Sequence, residues 1–143
     1  MIPDPDSRVV TVLNELGLPY EKTEEGDFRV TVPHLAEPRG HVVVIRSATN
    51  IIAKTEWRTA GAIAYRFPGD SIPETHANTL LDHTGTVPIG GWAKLRAGGE
   101  CLAVFTVQLP ADADAELMLE VLEGMAATVD KMERYLQNEE PGG

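Results

Sequence analysis

Apolar positions recur along this chain with two different periods. Val9, Leu13 and Leu16 stand at helical spacing, with Val10 and Val12 beside them. Ahead of them Asp4-Pro5-Asp6 reads as a helix start: Asp4 as the N-cap, Pro5 as the first helical residue, and Asp6 facing the positive end of the helix dipole. Gly17 suits a left-handed exit, Leu18 can fold back onto the last turn, and Pro19 blocks continuation. The period then shortens to two. Tyr20–Glu24 forms a short polar strand and Glu25-Gly26 a turn. In Asp27–Pro33, Phe28, Val30 and Val32 alternate with Arg29 and Thr31, as in a half-buried strand. Pro33, Pro38 and Gly40 predict a loop, His41–Ser47 a β-branched strand, and Ala48-Thr49-Asn50 a second turn. Residues 51–61 are read as extended, with Ile51, Ala53, Thr55 and Trp57 on one side, although nothing in the run excludes a helical turn. Ala62–Phe67 follows as a strand ended by Pro68-Gly69.

From Pro73 to Thr84 the spacing is helical again, with Ala77, Leu80 and Leu81 as an apolar face and Gly85 at the C′ position. Gly90–Ala97 and Glu100–Leu109 flank Gly98-Gly99, the signature of a hairpin. Cys101, Ala103, Phe105, Val107 and Leu109 line one side of the second strand, while Leu102 and Val104 occupy the other. That two-sided apolarity predicts a strand covered on both faces, by the middle helix or by a second subunit on the side the C-terminal helix leaves open. After Pro110, Asp112 or Asp114 caps a last helix. Its stripe runs Met118, Val121, Leu122, Met125, Val129, Met132 and Leu136. At 1.5 Å per residue its roughly 24 residues span about 36 Å. The element order predicts an α+β fold: an antiparallel sheet flanked by an N-terminal helix, a middle helix and a long C-terminal helix. Residues 1–137 read as one domain and 138–143 as a flexible tail.

Charge narrows the partners. The 143 residues carry 12 Lys+Arg against 22 Asp+Glu, a formal net charge of −10. That balance disfavours nucleic-acid backbones and anionic membrane surfaces, both of which are bound through Lys and Arg. One cysteine excludes an internal disulfide and a Cys-rich zinc site. The first residues show neither the basic nor the apolar segment of a secretory signal, and no apolar run approaches the ~20 residues that span a bilayer. The expectation is a cytoplasmic protein.

Motifs for catalysis are sparse. His34, His41, His76 and His83 fit no metal-binding spacing and are read as solvent-facing. Cys101, His83 and Asp82 can be drawn as nucleophile, base and orienter, but Cys101 sits in the apolar run of a strand, the usual place of a buried thiol. The glycines match no phosphate-binding loop. Arg58, Arg66, Lys94 and Arg96 form a basic strip for an acidic peptide or phosphate, or else are solvated strand residues near carboxylates, the reading preferred here. Met118, Met125 and Met132 repeat every seven residues, either as core or as an adaptable surface. Trp57 and Trp92 serve equally as interface anchors or as partly buried aromatics.

The helix ending LLDHTGTVPIG (Leu80–Gly90), the hairpin WAKLRAGGECLAVFTVQLP (Trp92–Pro110) and the long helix LMLEVLEGMAATVDKMERYL (Leu117–Leu136) together resemble the YbjN family of bacterial proteins, also described as sensory transduction regulators. The helix and hairpin from Val9 to Val32 fit the same layout, whereas 48–62 have no counterpart. The resemblance implies a fold similar to type III secretion chaperones, commonly dimeric, with no active-site residues and no cofactor. The functional expectation is a non-enzymatic, homodimeric protein-binding module, chaperone-like or regulatory, that buries a partner polypeptide in an apolar groove or at a sheet edge. Trp57, Trp92 and Leu81 are the candidate contacts, and the acidic surface is expected to favour basic partners. The alternatives are a small-molecule sensor with its ligand between sheet and C-terminal helix, and a small Cys/His hydrolase.

Overall fold

A computed structural model describes residues 6–34 and 37–138. The elements are α1 (Ser7–Leu16), β1 (Tyr20–Lys22), β2 (Phe28–His34), β3 (Glu37–Ile52), β4 (Thr55–Pro68), α2 (Glu74–Thr84), β5 (Gly91–Ala97), β6 (Glu100–Pro110) and α3 (Ala115–Asn138). The strands form one antiparallel sheet in the order β1-β2-β3-β4-β6-β5. The fold is α+β, as the element order predicts. Asn138 closes α3 instead of opening the tail, and residues 139–143 lie outside the described residues.

Local chemistry accounts for the helix ends. The α1 cap is Asp6, whose Oδ1 accepts from the Arg8 backbone N–H at 2.9 Å; the expected Asp4 cap and Pro5 lie outside the described residues. Gly17 takes φ +67°, and the Leu18 N–H reaches back to the Leu13 carbonyl. For α3 the cap is Asp114, which accepts from the Leu117 N–H at 2.9 Å. Gly85 departs from expectation. It stays right-handed at φ −68°, because α2 ends by tightening: the Thr86 N–H turns back to the His83 carbonyl at 2.9 Å.

The centre of the chain corrects two predicted loops. Pro33 and Pro38 lie within β2 and β3. Pro33 falls where their register shifts, so its missing N–H costs no ladder bond, and Gly40 opposite takes φ +73°. Ala48-Thr49-Asn50 is not a turn. It lies inside β3, where the pairing with β4 shifts between Ile45 and Thr49. The reversal comes at Ala53-Lys54, both at positive φ (52° and 73°), so Ile51 and Thr55 belong to different strands. β4 then continues unbroken to Pro68.

All three helices lie on one face. Val9 and Leu13 of α1, Leu80 of α2 and the apolar stripe of α3 share one core with Phe28, Val30, Val43, Ile45, Phe105 and Leu109. The middle helix therefore does not cover the other face, contrary to one option the sequence left open. There Leu102 and Val104 are shielded by their neighbours, while Val42, Ile63 and Leu95 are exposed. Met118, Met125 and Met132 are core residues, which overturns the adaptable-surface alternative.

A polar cluster pins the β3 irregularity. Arg58, fully buried on β4, donates to the carbonyls of Arg46 (3.0 Å), Ser47 (3.2 Å) and Ala111 (3.2 Å) and to Asp6 Oδ2 (2.7 Å). It was expected on a solvated strip; burial follows because three carbonyls freed by irregular backbone converge on it. Arg8 bridges Asp6 to Glu56 with Nη1 2.8 Å from Oε1, and Thr49 donates to Glu56 Oε2 at 2.6 Å. Arg8, then Thr49, pull the Glu56 carboxyl down to about 2. Asp6 is held well below the usual carboxylate range by Arg8 first, against the upward push of burial, and then by Arg58.

Both groups favour the folded state when ionised. Their contribution is complete above the ordinary values of 4.5 and 3.8, and is lost as pH falls below these toward about 2 for Glu56. The denaturation midpoint is accordingly expected to fall as pH drops through this window. Asp6→Asn, measured in the same series, should flatten the decline.

Candidate functional site

β5 is an edge strand that pairs only with β6 among the described residues. The Trp92 backbone N–H points away from β6, donating to Thr84 Oγ1 at 3.0 Å. By the two-residue period of an antiparallel ladder, Lys94 and Arg96 turn their N–H and C=O groups outward too. Both are exposed. Beside this edge, α2 and the segment before it enclose a groove of about 240 Å³ lined by Ile72, Ala77, Leu80, Leu81, Trp92 and Ala93, among others.

Two of the three expected contacts meet here. Leu81 is 66% exposed on the rim, and Trp92 is half-buried with its ring 5.1 Å from Phe105. Trp57 is elsewhere: it sits near the start of β4, paired with Asn50 and Pro110 at the opposite end of the sheet. Sequence reasoning missed Ile72, which looked like loop.

The remaining candidates separate. Cys101 is fully buried opposite Phe67 and Arg96. His83 instead accepts the Trp92 indole N–H on Nδ1 at 2.9 Å, and Trp92 pairs with Phe105, four residues along β6 from Cys101. None of the three histidines whose side chains are described is solvent-facing as expected: His83 is half-buried against Trp92. His76 is buried with its ring 5.4 Å from Phe67, and His41 lies half-buried 3.4 Å from Asp130. The side chain of His34 lies outside the described residues. Arg66 and Arg96 stand near Glu100 (3.6 Å) and Asp70 (3.2 Å), the solvated pairing expected of them. Among the described residues no group of three or more His, Cys, Asp or Glu is placed to hold a metal, and no helix is long and apolar enough to cross a membrane.

A second groove runs along α3, beside α2 at one end and beside residues 87–89 and β6 at the other. Its wider part, about 440 Å³, is lined by His83, Lys131 and Tyr135 among others, and its narrower part, about 270 Å³, by Ile89, Val121 and Gly124. Gly124 stands out. It interrupts a long helix at a cost of about 1 kcal/mol relative to alanine, yet a Cβ there would meet nothing within 4 Å. Gly124→Ala is therefore expected to raise the unfolding free energy by about 1 kcal/mol, read from the denaturant midpoint. An interior glycine in the longest helix, beside its apolar stripe, was the one sign of this groove in the sequence. Compared with known proteins, the chain matches no family model and shows no significant similarity to a curated protein.

Proposed function

We propose that the chain is a non-enzymatic protein-binding module, chaperone-like or regulatory, that captures an extended segment of a partner by strand addition to β5. The observation that carries this reading is the outer edge of β5, which no strand pairs among the described residues, beside the groove under Leu81 and Trp92. An added strand takes up the outward backbone groups of Lys94 and Arg96. One of its faces lies toward Leu81 and Trp92, the other beside Leu95. Positive charges on an edge strand deter indiscriminate pairing and favour a partner with carboxylates opposite them. Locally this replaces the basic partner expected from net charge with one bearing acidic and apolar residues in alternation. The resemblance to the YbjN family supports the same reading.

Lys94→Pro removes an N–H that β6 does not use, and Leu81→Asp places a charge on the groove rim. Both variants are expected to stay folded and to lose partners that the wild-type chain retains from its source cells. In the bound wild-type chain, amide exchange at Lys94 and Arg96 should slow. Unchanged retention by both variants would rule the edge out.

The same reading includes a homodimer through the outer face of the sheet. Val42, Ile63 and Leu95 are exposed there, with Arg29 and Arg66 alongside and Glu133 of α3 at the border, whereas α3 carries Glu116, Glu120 and Glu123 away from it. Two copies joined by their outer faces keep these acidic helices apart. Sedimentation velocity should give a dimer for the wild type and a monomer for Ile63→Asp; a monomeric wild type at micromolar concentration would remove the dimer from the reading.

A further inference from the structure

The groove along α3 is mostly apolar, with the side chains of His83 and Lys131 gathered at its wide end. At the wide end, the Trp92 indole N–H occupies Nδ1 of His83, so the neutral ring carries its proton on Nε2, a donor that none of the hydrogen bonds described above uses. Lys131 shares that end and is exposed. The positions one helical turn from it, Ala127, Thr128, Arg134 and Tyr135, carry no carboxylate. Thr128 belongs to both parts of the groove, and beyond it Gly124, Val121 and Ile89 line a path with little polar surface, with the exposed Glu120 at its border. Gly124 keeps that path clear although no packing contact demands a glycine.

We propose that this groove binds an organic carboxylate bearing an unbranched apolar tail. The carboxylate is held by Lys131 and the Nε2–H of His83, and the tail runs past Gly124 toward Val121 and Ile89. From Lys131 to Val121 is ten residues along α3, about 15 Å at 1.5 Å per residue, the reach of a medium-length alkyl chain. The overall charge of −10 repels anions, so a preference for the carboxylate has to come from these local donors. The proposal does not rest on strand addition at β5, although Trp92 borders both grooves.

Dodecanoate and dodecyltrimethylammonium below their micelle-forming concentrations, and dodecanol below its solubility limit, test this. Trp57→Phe leaves Trp92 as the single indole reporter, since the chain has two tryptophans. Dodecanoate is expected to saturate one site and shift Trp92 emission, with dodecanol at least about tenfold weaker and the cation inactive. The wild-type chain should show the same order as a rise in Tm. Lys131→Met should abolish the preference for carboxylate over alcohol. Gly124→Leu, whose side chain enters open space, should abolish binding while circular dichroism stays unchanged. Equal affinity for dodecanoate and dodecanol, absence of saturation, or unaltered binding by Gly124→Leu would overturn the proposal.

Discussion

Arg58→Met is expected to lower the unfolding free energy by about 3–5 kcal/mol, seen as a lower denaturant midpoint with an unchanged slope. Methionine replaces much of the volume, so the loss is not chiefly a cavity. It comes from the acceptors left behind. The carbonyls of Arg46 and Ser47 on β3 and of Ala111 after β6 face the guanidinium from two separate segments, and each loses its donor. Asp6 keeps Arg8 but loses the shorter of its two charged contacts, 2.7 Å against 2.9 Å. Lysine is not a substitute, because a single ammonium cannot reproduce a planar fork that donates in several directions. Arg58→Lys should therefore recover only part of the loss. If Arg58→Met instead costs less than about 1 kcal/mol, the cluster is a neutral decoration of the sort seen in surface ion pairs.

The same cluster shows why the middle of the chain resisted reading from sequence. Ala48-Thr49-Asn50 has the polar character of a turn, but it stays extended within β3 next to the shifted register that Arg58 and Glu56 hold in place. The true turn, Ala53-Lys54, takes two positive φ angles without glycine or asparagine, so local propensity pointed away from it. Pro33 looked like a strand terminator because the compatibility of proline with a register shift depends on the partner strand. By contrast, α3 and the β5–β6 hairpin were legible, because a sustained period and a glycine pair need no tertiary context. The candidate site divides likewise. Leu81 and Trp92 meet because α2 leads directly into β5, whereas the position of Trp57 depends on the hairpin that was misplaced. Charge misled at Arg58 for a related reason: the acceptors that make its burial tolerable come from residues distant in sequence.

Gly90→Ala is expected to destabilise the chain by about 3 kcal/mol, the upper end for a strained backbone position, whereas Gly124→Ala stabilises it. The two glycines differ in what surrounds the missing Cβ. Gly90 has φ +82°, which L-residues rarely adopt, and a Cβ there would lie 2.6 Å from the Thr106 carbonyl oxygen and 2.8 Å from Val107 Cγ2. The backbone cannot simply withdraw, because Gly91 pairs with Thr106 at the first rung of β5. Relief therefore has to come from moving the start of the strand. That movement pulls Trp92 from Thr84 Oγ1 and disturbs its indole bond to His83, two contacts that tie α2 to the edge strand. Gly90→Ala should thus change Trp92 fluorescence in the native state as well as lower the midpoint. Gly98→Asn is the matching control: φ is +57° there, nothing lies within 4 Å of a Cβ, and asparagine tolerates left-handed backbone in a hairpin turn. Near-native stability for Gly98→Asn beside a large loss for Gly90→Ala would assign the cost to the close approach on Thr106. Equal losses at the two sites would mean that positive φ alone sets it and that β5 is free to shift.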